Sequence, residues 1–314
     1  MADRVRETVE QNKHMKTKAD EGETVKTTLM IAVVLLALLA LAIPATAQDN
    51  NENSSGSPAE PDLYLGQKPP GAKAEIFAPD VLKDEPHDTP VISRDETWII
   101  IGAMGKGILF YKMTAGNLSL TTNPLGFDIP VVCNGVVVSP SENRVYIREW
   151  KDGRGYLYYI DRKGDDWTVP KYEEIDSFGR TWQFTATMNE DLYFSSDRIL
   201  VSVFDGDSHL KPVSLKLEDN SDMLGTSPYI SPDESYIIYS IDYNLHISYN
   251  LHNGIWTTPL DLGPNINSEQ YDHCPQISPN GKYLFFISRR DGPDWVTYWA
   301  DAGFVEDLKP ERLK

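Results

Sequence analysis

The sequence is poor in the residues and motifs on which local catalytic and metal sites are usually built. It has six histidines and two cysteines in 314 residues. It contains no G-x-S-x-G nucleophile turn, no H-E-x-x-H zinc motif, no P-loop and no G-x-G-x-x-G. These absences argue against enzymes whose site is carried by one short motif. They leave open the enzymes that assemble a site from distant segments.

Basic residues are also in deficit. The chain has 29 Lys and Arg against 47 Asp and Glu, a net charge of −18, while residues 1–47 are charge-neutral. Nucleic acids are bound through basic side chains that neutralise phosphates, so we expect no nucleic-acid partner. The same acidity disfavours anionic lipids and polyanionic sugars.

Long apolar runs are absent with one exception, residues 29–43. This run is shorter than the roughly 20 residues of a membrane span, and the small-x-small pattern Ala45-Thr46-Ala47 follows it. We interpret residues 1–47 as a signal peptide and expect an exported protein, periplasmic or extracellular. An uncleaved membrane anchor, and a start at Met15, stay open. Residues 48–63 are polar without an apolar pattern, which predicts a disordered linker.

One pattern recurs along the rest of the chain. Its clearest copy reads P-Q-I-S-P-N-G-K-Y-L-F-F, two apolar runs around a turn, which is typical of a β-hairpin. The copies cover residues 90–101, 136–147, 185–194 (degraded), 228–239 and 275–286. Each copy is followed by room for two more strands, enough for a four-stranded unit.

The spacing of the copies predicts an all-β fold. The anchor positions are Ser93, Ser139, Met188, Ser231 and Ser278, separated by 46, 49, 43 and 47 residues. A hairpin repeating at this interval is typical of a β-propeller of four-stranded blades. The count predicts five blades over residues 64–314, with six as the alternative if one copy is hidden. Because few residues follow the last hairpin, we expect the segment 75–79 to supply the outer strand of the last blade and close the ring.

The repeats resemble the PD40 (WD40-like) repeat of TolB-type propellers, with S-P-[DN]-[EG] at residues 231–234 and 278–281. The segments 64–79 and 298–301 resemble a group of exported bacterial PD40 proteins without an assigned function. The resemblance covers residues 64–310. It implies a propeller that docks a protein or peptide partner, and TolB-type propellers usually have six blades. Arg94 departs from the motif, since it takes the place of the proline.

Hairpin geometry sorts the candidate binding residues onto one end of the ring. The S-P-N-G turns lie at one opening, here called the turn mouth. The starts of the inner strands and the loops after the second strands share the other, the loop mouth. Polar side chains converging on such a concavity are typical of a ligand site. The residues predicted at the loop mouth are His87, Asp88, Asn134, Arg148, Gln183, Arg198, Asp272, His273, Arg289 and Arg290.

These residues support two functional hypotheses. The first is an exported, non-enzymatic docking platform for an envelope protein or peptide, with no cofactor and no resident metal. The second is a hydrolase or lyase acting on carbohydrate or peptide with His87, Asp88, Asp272 and His273. The same four residues suit a divalent metal by type, but their spacing matches no metal motif.

Two further expectations concern packing and assembly. We expect the arginines to pair with neighbouring acids and most Trp and Tyr side chains to pack between blades. Cys133 and Cys274 fall in blades that are not neighbours, so we expect free, buried thiols instead of a disulfide. A closed propeller has no obligatory second subunit, and we expect a monomer.

Overall fold

In its described residues, the computed structural model forms five antiparallel sheets, each with a main path of four strands. The residues it describes are 64–82, 89–103, 107–114, 117–121, 133–164, 166–181, 183–251 and 254–314. Strand β1 (Glu75–Ile76) and the one-turn helix α1 (Pro79–Leu82) precede the first sheet. The predicted signal peptide (1–47) and linker (48–63) lie outside the described residues. No helix in the described part has the length and apolar character of a membrane span.

The first two blades take up residues 91–173. From the inside outwards, blade 1 contains β2 (Val91–Ile92), β3 (Trp98–Ala103), β4 (Gly107–Thr114) and β5 (Asn117–Thr121). Blade 2 contains β6 (Cys133–Val138), β7 (Arg144–Lys151), β8 (Arg154–Lys163) and, outermost, β10 (Lys171–Glu173). The short strand β9 (Asp166–Trp167) also pairs with β8.

The next two blades take up residues 184–261. A 3-10 helix, Phe178–Arg180, leads into blade 3. Blade 3 contains β11 (Phe184–Ala186), β12 (Leu192–Ser195), β13 (Ile199–Ser202) and β14 (Val213–Ser214). Two short parallel strands, β15 (Lys216–Leu217) and β19 (Ile255–Trp256), lie outside the main sheets. Blade 4 contains β16 (Thr226–Ile230), β17 (Tyr236–Ile241), β18 (Asn244–Tyr249) and β20 (Leu260–Asp261).

Blade 5 closes the ring with a strand from the other end of the propeller. Its inner strands are β21 (Asp272–Ile277), β22 (Tyr283–Ser288) and β23 (Val296–Asp301), and β1 pairs with β23 as the fourth. Helix α2 (Phe304–Asp307) and the 3-10 helix Glu311–Leu313 follow. The predictions of an all-β propeller, five blades by repeat count and closure by the N-terminal segment are confirmed.

Apolar side chains fill the space between neighbouring blades in five clusters, one for each interface of the ring. The cluster between blades 5 and 1 contains Phe77, Ile99 and Trp299, so side chains as well as strands close the ring. Tyr146, Tyr193, Trp256 and Trp299 are fully buried, as expected for large flat residues between blades. Burying such a side chain contributes about 1.5–3 kcal/mol.

The hairpin turns show why the repeat has its sequence. The serine hydroxyl at the turn start accepts the backbone N–H five residues on, as for Ser231 with Tyr236 at 3.1 Å and Ser278 with Tyr283 at 3.0 Å. The third residue after the serine has a left-handed backbone. These residues are Glu96, Glu142, Glu190, Glu234 and Gly281, with φ from 57° to 75°.

The same geometry corrects one anchor position. In blade 3 the left-handed residue is Glu190, and Thr187 stands three residues before it. The Thr187 hydroxyl accepts the Asp191 N–H at 3.2 Å, closing the turn one residue earlier than the serines do. Thr187, and not Met188, therefore corresponds to the serine of the repeat.

Candidate functional site

The turn mouth opens into an apolar cavity of about 360 Å³. The inner strands of all five blades line it, with Val91, Val137, Ala186, Ile230 and Ile277 as one representative of each. The residue after the turn serine, or its counterpart Thr187, lines it in every blade. These five residues are Arg94, Pro140, Met188, Pro232 and Pro279. The proline of the repeat motif is thus part of the cavity wall.

The turns around this cavity are acidic. They carry Asp95, Glu142 and Asp233 as acids, against Arg94 and Lys282 as exposed bases. The hydrogen bond from Ser93 lowers the pKa of Asp95. For Asp233, burial raises the pKa, but hydrogen bonds from Ser235 outweigh this effect, so the pKa lies below its usual value. Both aspartates are therefore ionised at neutral pH, and the mouth combines an apolar interior with negative charge at its edge.

Towards the loop mouth the axis is crossed by hydrogen bonds between inner strands. Gln183 of blade 3 donates Nε2–H to the carbonyl oxygen of Pro275 in blade 5, at 3.3 Å. Thr89, entering blade 1, donates to the carbonyl oxygen of Cys274. A β-bulge in β21 interrupts the ladder beside these two carbonyls. A void of about 30 Å³ is left between the crossing residues.

Among the described residues, the larger cavity on the axis therefore opens at the turn mouth, and not at the loop mouth where the ligand site was expected. Gln183, predicted to line a binding concavity, instead spans the axis and separates the cavity from the loop mouth. Cys274 is buried, as predicted, and its Sγ lies 3.8 Å from the Ser227 hydroxyl oxygen. Cys133 begins β6, but its side chain lies outside the described residues, as does that of Asn134. His87 and Asp88 lie outside them entirely.

Asp272 and Arg290 form a buried ion pair. The Arg290 guanidinium lies 2.7 Å from Asp272 Oδ1 and also donates to the carbonyl oxygen of Ile266. The other carboxylate oxygen accepts Ser268 N–H at 2.6 Å and the Ser268 hydroxyl at 2.9 Å. Asp272 has no solvent exposure, so this pair fixes the start of β21.

Two further predicted arginines are also held by the fold. Arg148 is buried, and its Nη1 donates to the carbonyl oxygen of Thr181 in the segment leading to blade 3, at 2.6 Å. Arg198 pairs with Asp197 at 2.6 Å and with Asp222. The expected arginine–acid pairing therefore holds for Arg198 and Arg290, and Arg148 bridges blades 2 and 3 through the Thr181 carbonyl.

His273 and Arg289 remain at the loop mouth with an aromatic neighbourhood that the sequence analysis missed. Tyr243, Tyr271 and Trp295 surround them, and the centroids of neighbouring rings, His273 included, lie 4.0–6.1 Å apart. The sequence did contain one indication of this neighbourhood, namely the positions of the three aromatic residues. All three aromatic residues fall in loops or strand starts that hairpin geometry assigns to this mouth.

The described residues contain no group of three or more His, Cys, Asp or Glu side chains arranged to hold a metal ion. Of the four residues considered for metal binding, Asp272 accepts a hydrogen bond from Ser268 and forms an ion pair with Arg290. His273 has a ring surrounded by aromatic side chains. The other two, His87 and Asp88, are not described.

Comparisons with known proteins return structures but no family. No protein-family profile and no curated protein sequence matches this chain. Similar solved structures include TolB from Acinetobacter baumannii, with 16% identity, a TM-score of 0.44 and coverage of 69% of this chain and 57% of that one. TolB from Agrobacterium tumefaciens has 18% identity, a TM-score of 0.40 and coverage of 69% and 77%.

A third similar structure is an engineered GH43 glycoside hydrolase with endo-xylanase and exo-arabinofuranosidase activity. It has 11% identity, a TM-score of 0.47 and coverage of 73% of this chain and 52% of that one. The match thus spans less than three fifths of the Acinetobacter TolB and of the hydrolase. The assignment of a TolB-like five-bladed propeller accordingly rests on the strand order and the repeat motif of this chain.

Proposed function

We propose that this protein is a non-enzymatic binding module that captures a peptide segment of a partner protein at the turn mouth. The observation that carries the proposal is the apolar cavity of about 360 Å³ built by the inner strands of all five blades. Its size falls within the range of about 300–1,000 Å³ of small-ligand pockets, enough for one or two large side chains.

The charge around the cavity selects among peptides. Asp95 and Asp233 are exposed and ionised beside the apolar opening, and Glu142 lines it. A peptide with an apolar side chain flanked by Lys or Arg therefore fits both the interior and the edge. Electrostatic complementarity of this kind raises association rates and rejects acidic competitors.

We place this module outside the cytoplasm, in the bacterial envelope. The support is the apolar run at residues 29–43 followed by Ala45-Thr46-Ala47 and the resemblance to exported PD40 proteins. Sequencing the N-terminus of the protein from its native host tests this. A mature chain beginning near residue 48 supports export, and an intact N-terminus in the cytosolic fraction overturns it.

The peptide proposal is tested with an array of short peptides carrying one central Leu, Phe or Trp between lysines, and counterparts with glutamates. We expect the propeller to retain members of the lysine set selectively. Val137→Phe, which fills the cavity wall, should weaken binding about tenfold or more. Val169→Phe is the control, because Val169 is 76% exposed and does not line the cavity.

Two results would overturn the proposal. One is equal retention of the lysine and glutamate sets, which removes the role of the acidic edge. The other is an unchanged affinity of Val137→Phe in a variant that unfolds at the same urea concentration as the wild type.

The enzyme hypothesis gains no support from the described residues. It needs His87, Asp88, Asp272 and His273 to act together, and Asp272 has both carboxylate oxygens bonded within the fold. We therefore propose binding without turnover.

A further inference from the structure

A second surface lies at the loop mouth, independent of the peptide cavity. It consists of Tyr243, Tyr271, His273, Arg289 and Trp295, called here the aromatic–arginine cluster. Tyr243 comes from the β17–β18 turn of blade 4, and the other four come from blade 5. Tyr243 is 52% exposed and Tyr271 is 37% exposed, so the fold holds two large rings at the surface.

The backbone of Tyr243 is in an unusual conformation. Asp242 and Tyr243 form a two-residue turn with φ of 47° and 72°. Hairpins that need positive φ at both central residues favour Asn-Gly, and a bulky residue there has an energetic cost. The Tyr243 carbonyl accepts the Asp272 N–H at 2.9 Å, and its ring lies 4.0 Å from that of Tyr271. Since the ring stays half exposed, burial does not offset this cost.

Arg289 is a cation held without a carboxylate partner among the described residues. Its guanidinium carbon lies 4.3 Å from the centroid of Trp295, and its buried Nε has no hydrogen-bond partner. The adjacent Arg290, in contrast, is paired with Asp272. Arg289 therefore has hydrogen-bond donors left for a ligand in a chain that is otherwise rich in acids.

His273 adds a second polar group among the rings. It lies 5.9 Å from Tyr271, nearly parallel to it, and 5.8 Å from Trp295. Burial lowers the pKa of His273 more than the neighbouring Asp272 raises it. The imidazole is then neutral at pH 7 and offers one donor and one acceptor, with no described residue hydrogen-bonded to its ring.

We propose that the aromatic–arginine cluster binds a neutral saccharide. A pyranose ring presents a face of C–H groups that packs on the electron-rich face of Tyr243 or Tyr271. Its hydroxyl groups can accept from Arg289 and both donate to and accept from His273. Aromatic walls with a few placed polar groups are the general composition of small-ligand sites.

The charges around the cluster exclude two rival ligand classes. A quaternary or methylated ammonium ligand would be repelled by the guanidinium of Arg289, which lies over Trp295 within the same cluster. A polyanionic sugar would meet a chain of net charge −18, with Asp242 exposed beside Tyr243. An uncharged saccharide is repelled neither by Arg289 nor by the negative charge of the chain.

The test is retention of the full-length protein on neutral polysaccharides, namely cellulose, chitin and galactan, followed by titration with soluble oligomers of the one that binds. We expect wild-type protein to bind one of them. Tyr243→Ala and Arg289→Gln should each weaken binding about tenfold or more. Tyr172→Ala is the matched control, because Tyr172 is 47% exposed on the outer strand of blade 2.

A second variant separates binding from folding. Tyr243→Gly removes the ring and also relieves the positive φ, so it should lose saccharide binding while unfolding at no lower urea concentration than wild type. No binding to any of the polysaccharides, or equal losses in Tyr172→Ala and Tyr243→Ala, would overturn the proposal. Retention of a polyproline peptide in place of the saccharides would overturn the ligand class.

Discussion

Tyr193 of blade 3 donates its phenolic hydrogen to Glu234 Oε2 in the turn of blade 4, with an oxygen–oxygen distance of 2.9 Å. Both residues are buried. A related bond joins Tyr146 of blade 2 to Glu190 of blade 3 at 3.1 Å. The glutamate that the turn needs in a left-handed conformation therefore also ties each of these turns to the preceding blade.

The Tyr193–Glu234 bond gives a first prediction. Tyr193→Phe leaves a buried carboxylate short of one donor, and we expect the free energy of unfolding to fall by about 1–3 kcal/mol. Urea unfolding followed by tryptophan fluorescence measures it. Tyr172→Phe, at an exposed tyrosine, should leave the midpoint unchanged. Equal midpoints for the two variants would show that the bond adds nothing.

A second prediction compares two glycines with positive φ. A Cβ at Gly225 (φ 152°) would lie 2.5 Å from Tyr239 Cδ2 and 2.9 Å from the Ser240 carbonyl oxygen. The Ser240 backbone cannot move aside as a flexible side chain can. Gly225→Ala should therefore lower the free energy of unfolding by about 3 kcal/mol or more. Gly263 (φ 79°) has open space around it, so Gly263→Ala should cost only the conformational term of about 1–2 kcal/mol. Thermal unfolding ranks them, and the reverse order would contradict this account.

A third prediction concerns the Asp272–Arg290 pair. Arg290→Gln leaves the fully buried Asp272 without its cation, and we expect a loss of about 3–5 kcal/mol in the free energy of unfolding. Arg312→Gln is the comparison, because Arg312 and Glu218 pair on the surface and such pairs contribute about 0–1 kcal/mol. Urea unfolding of both variants checks this. A small loss in Arg290→Gln would mean that Ser268 alone satisfies Asp272.

A fourth prediction concerns acid stability. Burial raises the pKa of Glu173, but the hydrogen bonds and charge of His209, which lies 2.6 Å away, lower it below the usual 4.5. A carboxylate with a lowered pKa in the folded state stabilises the protein above about pH 4.5, and that contribution is lost as the pH falls through the folded-state pKa. Wild type should therefore be more stable than Glu173→Gln at neutral pH, and the difference should narrow in acid.

Urea midpoints of wild type and Glu173→Gln at neutral pH and at successively lower pH measure this difference. Glu311→Gln serves as the control, since Glu311 pairs with Lys314 at the exposed end of the chain. A difference that stays constant down to acid would show that Glu173 is not the titrating group.

The blades and their closure could be predicted because their signals are local. A turn serine, a left-handed glutamate or glycine and two apolar runs lie within a dozen residues in most copies. The β1 segment could be placed because residues 75–79 line up in pattern with the fourth-strand segment of blade 4. Blade 3 shows the limit, since its turn closes one residue early and the degraded copy gave no sign that Thr187 replaces the serine.

The candidate sites depended on contacts between residues far apart in the chain. Gln183 meets Pro275 across the axis, 92 residues away, and this contact puts the open cavity at the turn mouth. The different environments of two adjacent arginines also depend on such contacts. Arg290 pairs with the buried Asp272, whereas the Arg289 guanidinium packs over the ring of Trp295. Hairpin signals specify which end of a blade a residue occupies. Which side chains meet there depends on distances that exist only after the ring has closed.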